Sequence, residues 1–224
     1  MKKEILAKKL RDNLNRRKAS TKETKSPSII AIETCFKGLS VSLYKEGEIF
    51  TEVEERQQMQ SSRLTEMVES LLQKERDIDL MLVNKGPGAF TGLRVGVSFA
   101  EGFAFGGGAR KLLFCTSFDV MIGGIKEVQN STLVIVNAIR DTFYISEFND
   151  KKFGEAKYVT LKELQDLLNT KTFNIICEDS TYGFKGNIIK VDAKINSENI
   201  LNAYFKHPSL FVSNYQPLYI RSSI

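Results

Sequence analysis

Residues 83–108 read V-N-K-G-P-G-A-F-T-G-L-R-V-G-V-S-F-A-E-G-F-A-F-G-G-G, and this stretch constrains the fold more than any other in the chain. An apolar strand end, 80–83, runs into the turn Gly86-Pro87-Gly88. The turn feeds a helix that is expected to start near Thr91, with Thr91 as its N-cap, and to end at Gly106-Gly107-Gly108. Gly92, Gly96, Ala100, Ala104 and Gly108 recur every fourth residue and so share one helical face. Glycines inside a helix cost about 1 kcal/mol each relative to alanine, so a tertiary contact must offset Gly96 and Gly102. Two contacts would do: close packing on the chain's own sheet, or a helix of another subunit. A membrane span is excluded, because Arg94 and Glu101 interrupt a run already shorter than the ~20 apolar residues needed.

The loop has to be tested for phosphate chemistry. A P-loop requires Lys-Ser/Thr after its glycines, and none follows here. G-x-G-x-x-G fails too, since three residues separate Gly88 from Gly92. Backbone N–H groups at a helix start can still hold an anion, which leaves Gly86, Gly88, Thr91 and Arg94 as candidate anion or nucleotide contacts. Glu33 and Thr34, closing the first strand, would face such a ligand across a cleft. No second acid stands close to Glu33 in sequence for paired acid–base work. His207 is the sole histidine, so no two-histidine metal site exists, and no catalytic residue is assigned. Cys35, Cys115 and Cys177 are odd in number and widely spaced, which fits unpaired thiols in a reducing cytoplasm.

Charge separates the chain into two parts. Residues 1–28 hold ten Lys/Arg against three Asp/Glu, a charge of +7, so the net +5 leaves −2 for the remainder. The basic part, 1–28, is expected to be a disordered extension. Within it, 4–18 has Ile5, Leu6, Leu10 and Leu14 at helical spacing, and 19–28 reads as a linker. From 29 on, hydrophobic periodicity predicts strands at 29–32, 39–44 and 48–53, a helix over 61–74, and a strand at 79–83 before the glycine turn. Leu64, Met67, Val68, Leu71 and Leu72 form the stripe of that helix. The second half repeats the scheme: strands at 112–115, 132–138, 142–147, 155–160, 173–177 and 218–220, with helices over 117–126, 161–169 and 197–205. Ser117 and Thr160 are the expected caps of the first two of these helices. Two β-β-β-α lobes follow, 29–108 and 109–224, each a mixed α/β sheet with helices.

The segment from Gly86 through Gly96, GPGAFTGLRVG, closely resembles the GPGSFTGLRIG signature of the bacterial TsaB (YeaZ) family. Ile30-Ala31-Ile32-Glu33-Thr34-Cys35 is similar to its opening IAIDTS, with Glu for Asp and Cys for Ser, and Pro217-Leu218-Tyr219-Ile220-Arg221 to its terminal PxYLR. Gln60-Ser61-Ser62 stands where the family often has His-Ser-Glu, and Asn137-Ala138-Ile139 replaces a DAR-type turn. The resemblance implies an ASKHA (actin/Hsp70-like) two-lobed fold. It also implies a non-catalytic subunit of the machinery that makes threonylcarbamoyladenosine in tRNA. The implied partners are a TsaD-like catalytic subunit, a TsaE-like ATPase and a second copy of the chain, with ATP used by the complex and no cofactor on this chain alone. The implied subunit interface is the pair of first-lobe helices, through Leu64, Met67, Val68, Leu71, Gly92, Gly96, Ala100 and Ala104. The basic extension is expected to touch tRNA or remain solvated, and the location is cytoplasmic with no membrane contact. The competing reading is a stand-alone ATPase, kinase or peptidase on the same fold, with Glu33 in its cleft.

Overall fold

The structure is a computed structural model describing residues 26–36, 38–54, 60–178, 183–184, 187–190, 195–215 and 220. The expected 4–18 helix, most of the 19–28 linker and all but residue 220 of the 218–220 strand lie outside the described residues.

Sheet 1 contains β1 (Ile29–Glu33), β2 (Leu39–Lys45), β3 (Glu48–Glu54), β4 (Leu80–Asn84) and β5 (Leu112–Cys115), in the order β3-β2-β1-β4-β5. β1, β2 and β3 are antiparallel neighbours, while β1, β4 and β5 run parallel. The β2–β3 hairpin turns on Glu46 and Gly47, both at positive φ, the geometry two-residue hairpin loops favour. Helices α1 (Gln60–Leu72) and α2 (Phe90–Phe105) supply the crossovers, and α3 (Ser117–Gly123) follows β5.

Sheet 2 has the same plan. β6 (Thr132–Asn137), β7 (Thr142–Asn149), β8 (Lys152–Phe153), β10 (Asn174–Cys177) and β11 (Asn187–Lys190) lie in the order β11-β10-β6-β7-β8, and β9 (Lys157–Thr160) also pairs with β7. β6 is antiparallel to β7 and parallel to β10, as β1 is to β2 and β4. Helices α4 (Leu161–Thr170) and α5 (Ser197–Lys206) complete the regular elements among the described residues, with a 3-10 turn at Pro208–Leu210.

Burial explains the layering. β1 is apolar up to its closing Glu33 because both its faces are covered. Ile30 and Ile32 pack with Leu64, Met67, Val68 and Leu71 of α1 and with Leu93, Val97 and Ala100 of α2. Ile29 and Ala31 face the other way, into a core shared with Val134, Val136 and Ile176 of sheet 2 and with the apolar residues of α3 and α5. Leu133, Ile135 and Ile175 then meet Leu164 and Leu168 of α4 on the far side of sheet 2. The result is five layers: α1/α2, sheet 1, α3/α5, sheet 2, α4. A hydroxyl seam fastens α5 to sheet 1. Ser197 N donates to Ser40 Oγ at 2.8 Å, and the Ser42 and Ser197 hydroxyls bond at 2.7 Å. This duplicated arrangement is the ASKHA two-lobed α/β fold.

Several local expectations need correction. Thr91 does not cap α2: Ala89 is the N-cap, and no side-chain bond closes it. Ser117 does not cap α3: Thr116 does, in a capping box with Asp119, because Ser117 is drawn inward to Asn84. Thr160 caps α4 as expected, through its own box with Glu163. Strands β8, only two residues long, and β11 were not expected from sequence.

Candidate functional site

The C-terminal ends of β1, β4 and β5 converge on one buried polar cluster, the place where open α/β sheets bind ligands. Glu33 ends β1, Asn84 ends β4, and Ser117 begins α3 directly after β5. Asn84 Nδ2 donates to Glu33 Oε2 at 2.7 Å and to Ser117 Oγ at 3.0 Å. Asn84 Oδ1 accepts from Gly86 N at 2.9 Å. Glu33 Oε1 accepts from Cys35 N at 2.6 Å and Phe36 N at 3.3 Å. Every bond to Glu33 thus comes from a donor, which favours its charged form. Burial outweighs them and, with Glu178 nearby, raises its pKa from 4.5 to about 7. Asp119, deep in its capping box, is likewise raised by burial to about 6, against the Thr116 bonds and the charge of Lys85. Burial in turn lowers the pKa of Lys85 and raises those of Cys35 and Cys115.

The glycine turn seals this cluster. Gly86 holds φ +94°, a conformation that side chains disfavour, and its O accepts from Ser117 N at 2.9 Å. Any Cβ on Gly88 would collide with the Cys35 carbonyl oxygen, and Ala89 N donates to that same oxygen at 2.8 Å. The 33–36 turn, the 84–89 turn and the start of α3 are therefore bonded directly to one another. Beside Glu33 a cavity of about 20 Å³, lined by Phe36, Leu39, Ser40, Val53 and Ile195 among others, has room for about one water. Among the described residues no group of three or more His, Cys, Asp or Glu is placed to hold a metal ion.

The candidate contacts from sequence thus separate. Glu33, Thr34 and Gly86 are buried in or against this cluster and Gly88 packs on it, while Thr91 and Arg94 lie exposed on α2. Arg94 stacks on its own Phe90 ring, 3.9 Å from the centroid. Sequence reading missed Asn84, the residue that joins all three strand ends. Its signal was a lone amide closing an apolar strand just before the glycine turn.

The interface candidates need a correction as well. Leu64, Met67, Val68 and Leu71 are at most 2% exposed, and Gly92, Gly96 and Ala100 are buried beneath α2. A Cβ on Gly96 would strike Thr34 Oγ1. The small-residue face therefore packs on the chain's own sheet; Ala104, at its end, is half-buried. The outer face of α2 is different. It presents Thr91, Arg94, Ser98, Glu101, Gly102 and Phe105, the last 96% exposed, and a Cβ on Gly102 would meet nothing within 4 Å.

Taken together, the fold and the strand-end cluster define a two-lobed α/β protein of the ASKHA fold with a buried polar network at the ends of β1, β4 and β5. The model of the family TsaD: tRNA N6-adenosine threonylcarbamoyltransferase matches residues 52–175, more than half of the chain. The chain belongs to this family. It is 33% identical over 82 residues to the tRNA threonylcarbamoyladenosine biosynthesis protein TsaB of Escherichia coli, covering 35% of this chain and 36% of that one. With TsaB of Haemophilus influenzae it shares 32% over 83 residues, 35% of each chain. The aligned part thus spans about a third of the length of these curated relatives. A Pseudomonas aeruginosa protein described as similar to peptidase YEAZ superposes with a TM-score of 0.71 at 18% identity, over 88% of this chain and 100% of its own. YeaZ from the same organism gives 0.66 over the same shares. Among the described residues no helix is long and apolar enough to cross a membrane.

Proposed function

We propose that this chain is a non-catalytic scaffold and activating subunit in the biosynthesis of threonylcarbamoyladenosine in tRNA. It binds a TsaD-like catalytic subunit through the outer faces of α1 and α2. A TsaE-like ATPase joins that complex, which uses ATP, while this chain alone takes no cofactor and acts in the cytoplasm. Without the catalytic subunit, a second copy occupies the same face.

One observation carries this reading. Gly102 opens the last turn of α2, where glycine still disfavours the helix relative to alanine, yet no neighbour in the structure requires it to be small. With Ser98 one turn earlier and Phe105 fully out in solvent, it forms a low, apolar-ended surface that another helix can approach closely.

The test is Gly102→Leu in the full chain, with affinity for the TsaD-like subunit measured by calorimetry. The fold should persist, since the new side chain enters open space, and binding should fall at least a hundredfold. Unchanged affinity would return α2 to a purely internal role. A purified chain that turned over ATP alone, and lost this on Glu33→Ala, would instead establish an enzyme.

A further inference from the structure

Strand β3 forms one outer edge of sheet 1, and no other strand among the described residues pairs with its far side. Its hairpin closes on the pair Lys45 and Glu48 across a two-residue turn. Bonded and non-bonded pairs alternate along an antiparallel ladder, so Ile49, Thr51 and Val53 turn their backbone N–H and C=O groups away from β2. None of those six groups has a partner among the described residues. β3 is seven residues long, contains no proline or glycine, and keeps an unbroken register with β2. Such an edge is a template on which another strand can pair.

The two faces of β3 define which strand fits. Ile49, Thr51 and Val53 share one face, and Glu48, Phe50 and Glu52 the other. On the first face Ile49 and Val53 are exposed. Phe205 of α5, 46% exposed, meets the ring of Tyr44, the residue directly across from Ile49. Thr51, between the two apolar residues, is bonded to the Ser42 hydroxyl at 2.8 Å. On the second face Glu48 is exposed, and Glu52 accepts from Ser70 Oγ of α1 at 2.6 Å. The cations on that side are already engaged: Lys45 by Glu75 and the Lys74 carbonyl, and Lys74 by the Phe50 ring. The charge left along this edge is therefore negative. A second copy of β3 is a poor occupant, because antiparallel pairing about Thr51 would set Glu48 of each copy diagonal to Glu52 of the other, like charge against like.

We propose that β3 receives, as a sixth strand of sheet 1, an extended segment of a partner protein in which apolar and basic residues alternate. The segment runs antiparallel to β3. Its apolar residues lie beside Ile49, Val53 and Phe205, and its lysines or arginines beside Glu48 and Glu52. No residue on the outer face of α2 takes part, so this contact holds or fails independently of the reading given for that helix.

A fluorescein-labelled peptide of seven residues, alternating lysine and valine, tests this against the full chain by fluorescence anisotropy. It should bind at least tenfold more tightly than a peptide of the same composition with its valines grouped, and than one with glutamate for lysine. Methylating the valine N–H groups, which face β3 in this pairing, should weaken binding at least tenfold. Methylating the lysine N–H groups, which face away, should change it less than twofold. Glu48→Lys, on an exposed side chain, should weaken binding about tenfold at low salt. The absence of saturable binding overturns the proposal. So does equal binding of the grouped or the valine-methylated peptide, which would leave only attraction to exposed acids. Binding that appears only on dilution of a dimer would give the edge to a second copy, and binding that appears only after removal of residues 1–25 would give it to the chain's own basic segment; either result also overturns it.

Discussion

The inner and outer faces of α2 both carry small residues, but the neighbours of those residues differ. Beneath the helix, Gly96 lies against Thr34 so closely that no side chain fits, and Ala100 is fully buried. Outside, Gly102 stands in open space and Phe105 projects into solvent. The inner glycine is explained by the chain's own packing. The outer one, in the last turn, is not, although it too disfavours the helix relative to alanine. Sequence spacing put Gly92, Gly96 and Ala100 on one face, but spacing alone does not say whether that face points to a sheet or to a partner. What distinguishes the two is the neighbour that a Cβ would meet.

The largest effect expected from this contrast is at Gly96. Gly96→Leu forces a side chain into Thr34 and the β1 end, and should destabilise the chain by more than about 3 kcal/mol, at or beyond the upper range of overpacking. A urea midpoint unchanged from the parent would show that α2 does not sit on β1 as described. Loss of partner binding in this variant would reflect unfolding and would carry no information on the interface, which is why Gly102 is the position for that measurement.

The next effect comes from the polar cluster under the same helix. Glu33 has a folded pKa of about 7 against an ordinary 4.5, so the folded state holds its proton more tightly than the unfolded state does. Its contribution is complete below pH 4.5, is lost as pH rises to about 7, and is on the order of 3 kcal/mol. Asp119, raised from 3.8 to about 6, acts with the same sign over a lower window. Stability measured by urea titration should therefore fall between pH 4.5 and 7, and Glu33→Gln should flatten most of that slope. Stability that rose through this window would mean the hydrogen bonds from Asn84, Cys35 and Phe36 outweigh burial.

Much of the fold was legible because its signals are local. The hairpin, the α1 stripe and the Thr160-x-x-Glu163 box each fix their element within a few residues. The order of strands and helices was legible too, since alternation and helical periodicity are local, but the strand at 112–115, read as opening the second lobe, is the fifth strand of sheet 1 because it pairs in parallel with β4. The candidate site was harder to read. Glu33 and Asn84 are 51 positions apart and meet only because β1 and β4 pair in parallel. Ser117 read as a helix cap, whereas its hydroxyl completes the Asn84 network and Thr116 takes the cap. The orientation of α2 was illegible for a related reason. Thr34, the residue that requires Gly96 to be bare, directly follows β1, 62 residues earlier.

The smallest expected effect decides most about the outer face. Gly102→Ala adds one methyl in open space and removes the conformational freedom of glycine from the unfolded chain. It should stabilise the chain by about 0.5–1 kcal/mol, visible as a higher urea midpoint. If the outer face receives a closely packed helix, the same methyl should weaken binding of the catalytic subunit severalfold. Gain of stability with loss of affinity would show that α2 keeps a costly glycine for its partner. Gain of stability with full affinity would move the contact to Phe90, Arg94 or Phe105, at the rim of the same surface. No gain in stability would mean that Gly102 is not free in the folded chain, and the contrast between the two faces would then fail.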